Sequence, residues 1–181
     1  MDKLIIPVCM MMLMGCSAPS AEENAAGGTP FTLETFFTGE LDAHGVILSR
    51  NGKVRRSFNA VMRGEWTESD GALQGTLTED FVFNDGEKLQ RRWTLTKTAD
   101  NRYIGTAPDV EGTAQLQTAG NALRMDYDLT VPVSGRSFVL NVEDWLWLME
   151  PNVVVNKSIM KKWGFRVGEI ITTIIKRPES D

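Results

Sequence analysis

Residues 122–131, with the sequence ALRMDYDLTV, decide the fold class of this chain. Every second residue is apolar: Leu123, Met125, Tyr127, Leu129 and Val131. The residues between them are polar or charged in all but the first position. Side chains along a β-strand point alternately to the two faces of the sheet, so this alternation indicates a strand with one buried and one solvated face. Turn-forming pairs at 120–121 and 134–135 mark its ends.

The same pattern extends outward in both directions, because turn signals recur about every ten to fourteen residues. They delimit roughly ten predicted strands: 44–50, 53–66, 72–84, 87–98, 102–109, 111–118, 122–133, 136–149, 152–162 and 164–176. A meander of this length tends to close, since closure removes unpaired sheet edges. The sequence therefore predicts an all-β fold, a single antiparallel up-and-down barrel of the calycin or lipocalin kind with about 8–10 strands. A two-sheet sandwich is the alternative.

The first residues carry the features of a bacterial lipoprotein signal peptide, predicted over 1–15. Lys3 precedes an apolar run over 4–14. This run is shorter than the ~20 residues that span a bilayer and is typical of the apolar region of a secretory signal. The run closes on LMGC at 13–16, the pattern cut by the lipoprotein peptidase, which predicts Cys16 as an acylated first residue. An ordinary signal peptide or a membrane-tethered start is the alternative.

Three further segments complete the predicted organisation. Residues 16–30 are small, polar and rich in Gly and Pro, which is typical of a flexible tether. The barrel domain is predicted over 31–177, entered through one or two helical turns with Thr32 as N-cap, and 178–181 form a tail. The residue after Cys16 is not Asp, which favours transport to the outer membrane. We therefore expect a lipid-anchored protein of a Gram-negative cell envelope, at the outer membrane and facing the periplasm.

Composition excludes several functions. Lys and Arg total 19 against 24 Asp and Glu, a net charge of −5, which argues against nucleic acid as a partner. His44 is the only histidine, so multi-histidine metal sites and a Ser-His-Asp arrangement have little to draw on. No phosphate-binding glycine loop occurs. The sequence therefore predicts no metal, no cofactor and no catalytic residue, and a non-enzymatic protein.

Five ionisable residues occupy positions where the alternation calls for an apolar side chain: Arg56, Glu79, Arg91, Asp144 and Glu169. A three-residue turn at 84–86, with Gly86 in the left-handed conformation, keeps the apolar faces of its two strands in phase. It also places Glu79 directly across from Arg91. We therefore predict that these two side chains meet inside the barrel.

Two interpretations of the five residues remain open. In the first, they form an ionic network that fixes strand register, in which removal of one member would cost about 3–5 kcal/mol. In the second, they are ligand-binding residues of a cavity, with Arg56 and Arg91 facing the polar head of an amphipathic molecule such as a fatty acid carboxylate.

A second apolar face occurs on strand 136–149, where Trp145, Trp147 and Met149 oppose Leu146 and Leu148. We expect the leading apolar segment, with Phe31, Leu33, Phe36 and Phe37, to pack over this outer surface. The alternative is an exposed patch at Trp145 and Trp147 for a protein or membrane partner.

A set of motifs occurs in a known family in the same order: Glu79-Asp80-Phe81, Asp85-Gly86, Arg91-x-Trp93, Gly105-Thr106-Ala107, Asp109-Val110, Gly112-Thr113-Ala114, Gly120-Asn121-Ala122, Glu143-Asp144-Trp145, Asn156, Met160-Lys161-Lys162, Gly164 and Val167-Gly168-Glu169. The chain resembles domain-of-unknown-function family 3833, a bacterial lipoprotein family, over about Phe31 to Lys176. Glu143 and Pro108 depart from the pattern. The resemblance implies a lipoprotein with a calycin-like barrel and supplies no reaction.

Together these features predict a membrane-anchored periplasmic lipoprotein that binds or carries a hydrophobic or amphipathic small molecule in its barrel. A lipid or fatty acyl compound is the first expectation for that molecule, and the membrane is reached through lipidated Cys16. The alternative is a non-catalytic structural or envelope-assembly lipoprotein that acts through protein contacts.

Overall fold

The structure, a computed structural model, describes residues 19–69, 71–133 and 135–178. Two short helices, α1 (Ala21–Asn24) and α2 (Leu33–Phe36), precede the strands. The ten strands are β1 Gly39–Ser49, β2 Val54–Ser69, β3 Ala72–Phe83, β4 Lys88–Ala99, β5 Arg102–Thr106, β6 Val110–Ala119, β7 Ala122–Val133, β8 Arg136–Glu150, β9 Val153–Lys162 and β10 Phe165–Lys176. The predicted signal peptide (1–15) and Cys16 lie outside the described residues.

The strands form one closed antiparallel barrel. Each strand pairs with the next along the chain, and β1 pairs with β10 to close the cylinder. The predicted up-and-down barrel with a short N-terminal helical segment is confirmed, and the sandwich alternative is wrong. Most strand bounds lie within a few residues of the prediction. The exceptions are β1, which begins at Gly39 instead of 44, and β5, which ends at Thr106 instead of 109.

The hairpin between β3 and β4 has the predicted register. Gly86 has a φ of 88°, and the Phe83 amide donates a hydrogen bond to the Glu87 carbonyl at 2.9 Å. Glu79 is therefore the cross-strand partner of Arg91, and Leu77 is the partner of Trp93. The loop chemistry and the apolar pattern agree, so this register is confirmed.

One end of the barrel is closed by residues 31–38, here called the N-terminal plug. Phe31, Leu33, Phe36 and Phe37 are at most 5% exposed and belong to the barrel core. The expectation that they cover the outer surface at Trp145 and Trp147 is therefore wrong. Gly64 of β2 allows the plug to pack at this end, because the Phe37 carbonyl oxygen occupies the space where a Cβ at position 64 would lie, only 1.8 Å away.

The outer surface near Trp147 is instead covered by residues 19–30, the described part of the predicted tether. Trp147 donates its indole N–H to the Asn24 carbonyl at 3.2 Å, and Arg124 donates to the Pro19 carbonyl at 2.8 Å. Trp145 is only 3% exposed and stacks on Trp147. The exposed patch considered at these two tryptophans is therefore absent from the described surface.

The up-and-down order fixes the position of the remaining openings. The turns after β2, β4, β6 and β8 lie at the plugged end, and those after β1, β3, β5, β7 and β9 lie at the other, which we call the open end. The cavity described below lies between the two ends.

Candidate ligand-binding cavity

The barrel encloses a cavity of about 140 Å³. Its wall is mostly apolar and includes Leu33 and Phe37 from the plug, with Phe58, Trp93 and Ile170 from the strands. An apolar cavity of about 150 Å³ is large enough to hold benzene, whereas sites for drug-sized ligands start near 300 Å³. The cavity therefore has room for a compact molecule or for one end of a longer one.

Polar side chains from six strands line this cavity. β3 contributes Glu79, β4 contributes Arg91, β7 contributes Tyr127, β8 contributes Asp144, β9 contributes Asn156 and Ser158, and β10 contributes Thr172. Each occupies an inward position of its strand, next to apolar residues two positions away. The strand alternation predicted from sequence thus brings three of the five candidate residues, Glu79, Arg91 and Asp144, to one place.

Arg91 is held mainly by Asp109, in the connection between β5 and β6. The Arg91 Nε lies 3.0 Å and its Nη2 lies 2.7 Å from Asp109 Oδ2, so the guanidinium donates two bonds to this carboxylate. Its Nη1 lies 3.9 Å from Glu79 Oε2, which is a looser contact. Two of the five N–H groups of Arg91 therefore donate to Asp109, while its Nη1 has only the longer contact with Glu79.

Glu79 is the least satisfied polar group of the cavity. Its side chain is 12% exposed, and its Oε2 is buried without a hydrogen-bond donor among the described residues. Burial raises the pKa of Glu79 to about 7, the Arg91 charge opposes this rise, and Asp144 adds to it. Near neutral pH, Glu79 can thus be present either as an acid or as a carboxylate.

Asp144 is the second carboxyl group that lines the cavity. Asn156 Nδ2 and Ser158 Oγ both donate to its Oδ1, the serine at 2.7 Å. Burial nevertheless raises the pKa of Asp144 above its ordinary value, because the two donors offset only part of the desolvation. Its Oδ2 has no donor among the described side chains and backbone groups, so it can accept a further hydrogen bond.

The electrostatic character of the cavity follows from these contacts. One cation, Arg91, stands among three carboxyl groups, Glu79, Asp109 and Asp144. The available acceptors are Glu79 Oε2 and Asp144 Oδ2, while the charge of Arg91 is paired with Asp109 at 2.7 Å. The arrangement can therefore bind a group that donates hydrogen bonds or carries positive charge, and it disfavours a carboxylate.

The family model described as "Protein of unknown function (DUF3833)" matches residues 10–176. The chain belongs to this family. Membership agrees with the resemblance found in the ordered motifs, to which Glu79, Arg91 and Asp144 contribute. A search of curated protein sequences gives no significant match.

A solved structure of another protein shows the same fold. An S-type phycobiliprotein lyase from Guillardia theta superposes with a TM-score of 0.62 at 11% identity, over 83% of this chain and 95% of that one. Two designed barrels bound to DFHBI also match. For mFAP1 the TM-score is 0.39 at 10% identity (78% of this chain, 95% of that one), and for EF1p2_mFAP2b it is 0.41 at 8% identity (81% and 100%). The lyase supports the barrel fold of this DUF3833 chain.

Arg56 lies outside the cavity of this DUF3833 protein. Its guanidinium stacks 3.7 Å from the Phe83 ring centroid at the open end and pairs with Asp85 at 2.7 Å and Glu87 at 2.9 Å. The predicted role of Arg56 beside the head of a bound molecule therefore has no support from its position.

Glu169 lies on the outer face of the barrel, where it pairs with Lys157 and Arg166. Its assignment to the inner face is wrong. A register shift between Arg166 and Gly168 changes the phase of β10, and Ile170, Thr172 and Ile174 point inward instead. Since β10 is apolar on both faces, the alternation could not identify the inner one.

Five polar residues of the cavity region were not predicted from sequence: Asp109, Tyr127, Asn156, Ser158 and Thr172. Asn156 and Ser158 lie on the same face of β9 as the buried Val154, so the alternation of inward and outward positions could have identified them. Asp109 lies between two strands, where alternation carries no information.

Within the described ranges, no cluster of His, Cys, Asp and Glu is placed to hold a metal ion, and no helix has the length and hydropathy to cross a membrane.

Proposed function

We propose that this protein binds a compact hydrophobic or amphipathic molecule inside its barrel, with the polar group of that molecule donating hydrogen bonds to Glu79 and Asp144. The observation that carries this proposal is Glu79 Oε2, a buried acceptor without a donor that lines a mostly apolar cavity. A buried polar atom without a partner costs about 1–3 kcal/mol. A ligand that supplies the missing donor would recover that cost.

The head group is the specific part of the proposal. The charge of Arg91 is already paired with Asp109, so a carboxylate entering the cavity would meet one paired cation and two further carboxyl groups, Glu79 and Asp144. An alcohol, an amine or an amide fits better than a fatty acid anion. A lipid or fatty acyl compound remains within the proposal where its polar end is of this kind and its chain is short or extends beyond the cavity.

The structure of the lyase gives limited support, since a barrel of this shape occurs in a protein described as acting on phycobiliproteins. At 11% identity the likeness concerns the fold, so the proposal rests on the cavity residues of this chain.

We also propose that the protein is anchored through acylated Cys16 in a Gram-negative cell envelope, at the outer membrane and facing the periplasm. The support is the LMGC stretch at 13–16 with the short apolar run before it. An acyl chain such as palmitate on this cysteine would hold the barrel at the membrane surface where hydrophobic molecules partition.

Native mass spectrometry of the full chain, purified in mild detergent from a Gram-negative host, tests the binding proposal. We expect a small-molecule mass on the wild-type protein and its loss in the double variant Glu79→Gln with Asp144→Asn. The matched control is Asp80→Asn, which changes an exposed carboxylate on the opposite face of β3 and should retain the bound mass. Equal retention by all three proteins would contradict the role of Glu79 and Asp144 in binding. An empty wild-type barrel with a stable protein partner would support the structural alternative instead.

The preferred head group is tested by titration with 1-hexanol, hexylamine and hexanoate, followed through the indole signal of Trp93 in the cavity wall. The alcohol and the amine should bind at least about tenfold more tightly than the carboxylate, a difference of about 1.4 kcal/mol. Tighter binding of hexanoate would show that Arg91 is the group that receives the ligand.

A further inference from the structure

Three neighbouring segments at the open end of the barrel form a surface that the cavity does not explain. We call it the basic rim: residues 50–55 between β1 and β2, residues 135–139 at the start of β8, and residues 161–168 around the turn from β9 to β10. The order β2-β1-β10-β9-β8 makes these segments adjacent around the barrel. Large apolar side chains stand exposed on the rim, with Trp163 at 88%, Phe165 at 72% and Val54 at 61%.

The charge of the rim is opposite to that of the whole chain. Its segments contain seven basic residues and no Asp or Glu: Arg50, Lys53, Arg55, Arg136, Lys161, Lys162 and Arg166. Two of them pair with carboxylates outside the segments, Lys161 with Glu143 and Arg166 with Glu169, which leaves five without an ion-pair partner in the described part of the chain. The full chain has a net charge of −5. A surface of exposed aromatic residues surrounded by cations is therefore concentrated at one end of an otherwise acidic protein.

The turn at Trp163 and Gly164 gives independent evidence that this tryptophan serves something other than the fold. Trp163 has a φ of 50° and Gly164 a φ of 80°, and the flanking residues Lys162 and Phe165 pair directly. Positive φ at both residues of a two-residue hairpin loop favours Asn-Gly or Gly-Gly. A bulky side chain in this conformation costs roughly 1–2 kcal/mol, and at 88% exposure Trp163 regains little of it by burial.

Lys162 links the aromatic and the basic parts of the rim. Its ammonium nitrogen lies 4.9 Å from the Phe138 ring centroid and 5.2 Å from the Trp163 ring centroid. The Lys162 ammonium thus lies close to two exposed rings, Trp163 at 88% and Phe138 at 36%. Tryptophan concentrates at the headgroup level of bilayers, and each Lys or Arg near an anionic membrane surface contributes about 1 kcal/mol of attraction.

We propose that the basic rim docks on an anionic lipid bilayer, with Trp163 and Phe165 entering the headgroup region and the surrounding Lys and Arg facing lipid phosphates. Charge complementarity selects the membrane as the occupant, because the rim carries five cations without an ion-pair partner among the residues that the structure describes, which match a negatively charged surface. This docking would direct the open end of the barrel toward the lipid. The proposal depends neither on the cavity ligand nor on acylation of Cys16.

The test reconstitutes the full chain on vesicles that contain a brominated phosphatidylcholine, which quenches tryptophan only on contact with lipid. One set of vesicles is zwitterionic and the other contains about one-third phosphatidylglycerol, the source of anionic charge. The quenched signal of Trp163 is obtained as the difference between wild type and Trp163→Asn. Asn accepts positive φ, so this variant should be at least as stable as wild type in thermal unfolding.

We expect strong quenching of Trp163 on the anionic vesicles and little on the zwitterionic ones. Salt should weaken it, because the Debye length falls from about 10 Å at 0.1 M to about 3 Å at 1 M. Lys53→Glu with Arg55→Glu, two exposed changes on the rim, should also reduce it. Equal quenching on both vesicle types would overturn the electrostatic part of the proposal. Unchanged accessibility of Trp163 to iodide on anionic vesicles, or protection only by an acidic protein, would overturn all of it.

Discussion

At the scale of single residues, the cavity is distinguished by how unevenly its charges are satisfied. Arg91 gives two hydrogen bonds to Asp109 and stands 3.9 Å from Glu79, while Asp144 receives two neutral donors. A network that served register alone would be expected to satisfy Glu79 as well, because a partly satisfied buried network is costly. The unsatisfied carboxyl favours a binding role for this group over a purely structural one.

The titration of Glu79 makes the stability of the protein depend on pH. Its pKa is raised from 4.5 to about 7 on folding, so the folded state binds the proton more tightly than the unfolded state. The stabilisation that comes from protonated Glu79 is therefore fully present below about pH 4.5, and it is lost as the pH rises through 7. Between these two pH values we expect the free energy of unfolding of the wild type to fall by about 3 kcal/mol relative to that of Glu79→Gln, measured by urea unfolding at each pH.

Asp80→Asn is the control for this measurement, since it removes a carboxylate from the same strand without touching the cavity. Its unfolding free energy should follow the wild-type pH profile. Parallel profiles for Glu79→Gln and wild type would show that the Glu79 carboxyl titrates near its ordinary value.

At the scale of the elements, the sequence predicted those parts in which local chemistry and pattern agree. The β3–β4 hairpin is an example, because the turn at 84–86 and the apolar phases of both strands select one register. β10 is the contrary example, since Ile170, Ile171, Ile174 and Ile175 make both of its faces apolar and leave the phase undetermined.

The plug could not be predicted because its position depends on residues distant in sequence. Trp66 donates its indole N–H to the Phe37 carbonyl at 3.0 Å, and Glu34 accepts hydrogen bonds from Lys97 and Tyr103. Similarly, Asp109 reaches Arg91 from a connecting loop. Alternation assigns a residue to a face of its own strand and gives no information on which loop or preceding segment meets that face.

The close contact between the plug and Gly64 predicts that Gly64→Ala lowers the stability of the protein. Gly64 has an ordinary φ, so the substitution acts through the new Cβ, which would lie 1.8 Å from the Phe37 oxygen. We expect destabilisation of about 1–3 kcal/mol or more by denaturant unfolding, with a changed emission spectrum from Trp66. Gly105→Ala is the control, because its Cβ meets the end of the Leu95 side chain at 3.0 Å and that side chain can move. A larger loss at Gly105 would contradict this account of the plug.

At the scale of the whole molecule, the barrel has two unlike ends. The plug and residues 19–30 pack at one end and along one side, and the basic rim surrounds part of the other. The negative net charge suggested no attraction to anionic lipid, and only the topology shows that seven cations gather at one end. Composition averages over the surface, so it could not predict this distribution.

Attachment to the membrane is predicted to depend on Cys16. In Cys16→Ser the lipoprotein peptidase has no cysteine to act on, so we expect the acyl mass to vanish and residues 1–15 to stay on the chain. Intact-mass measurement of the envelope fraction checks both effects. Cleavage of the variant in the usual way would indicate an ordinary signal peptide. The control is Ser17→Ala, which should still be acylated.

The pairing of β1 with β10 has a consequence for how the chain reaches its final form. Synthesis runs from β1 to β10, so the backbone hydrogen-bonding groups on one edge of β1 remain unpaired until β10 has been made. The same late step encloses the phenylalanines of the plug. A nascent chain of this protein is therefore exposed to mispairing until its final residues emerge, and helper proteins that shield strand edges would act in that interval.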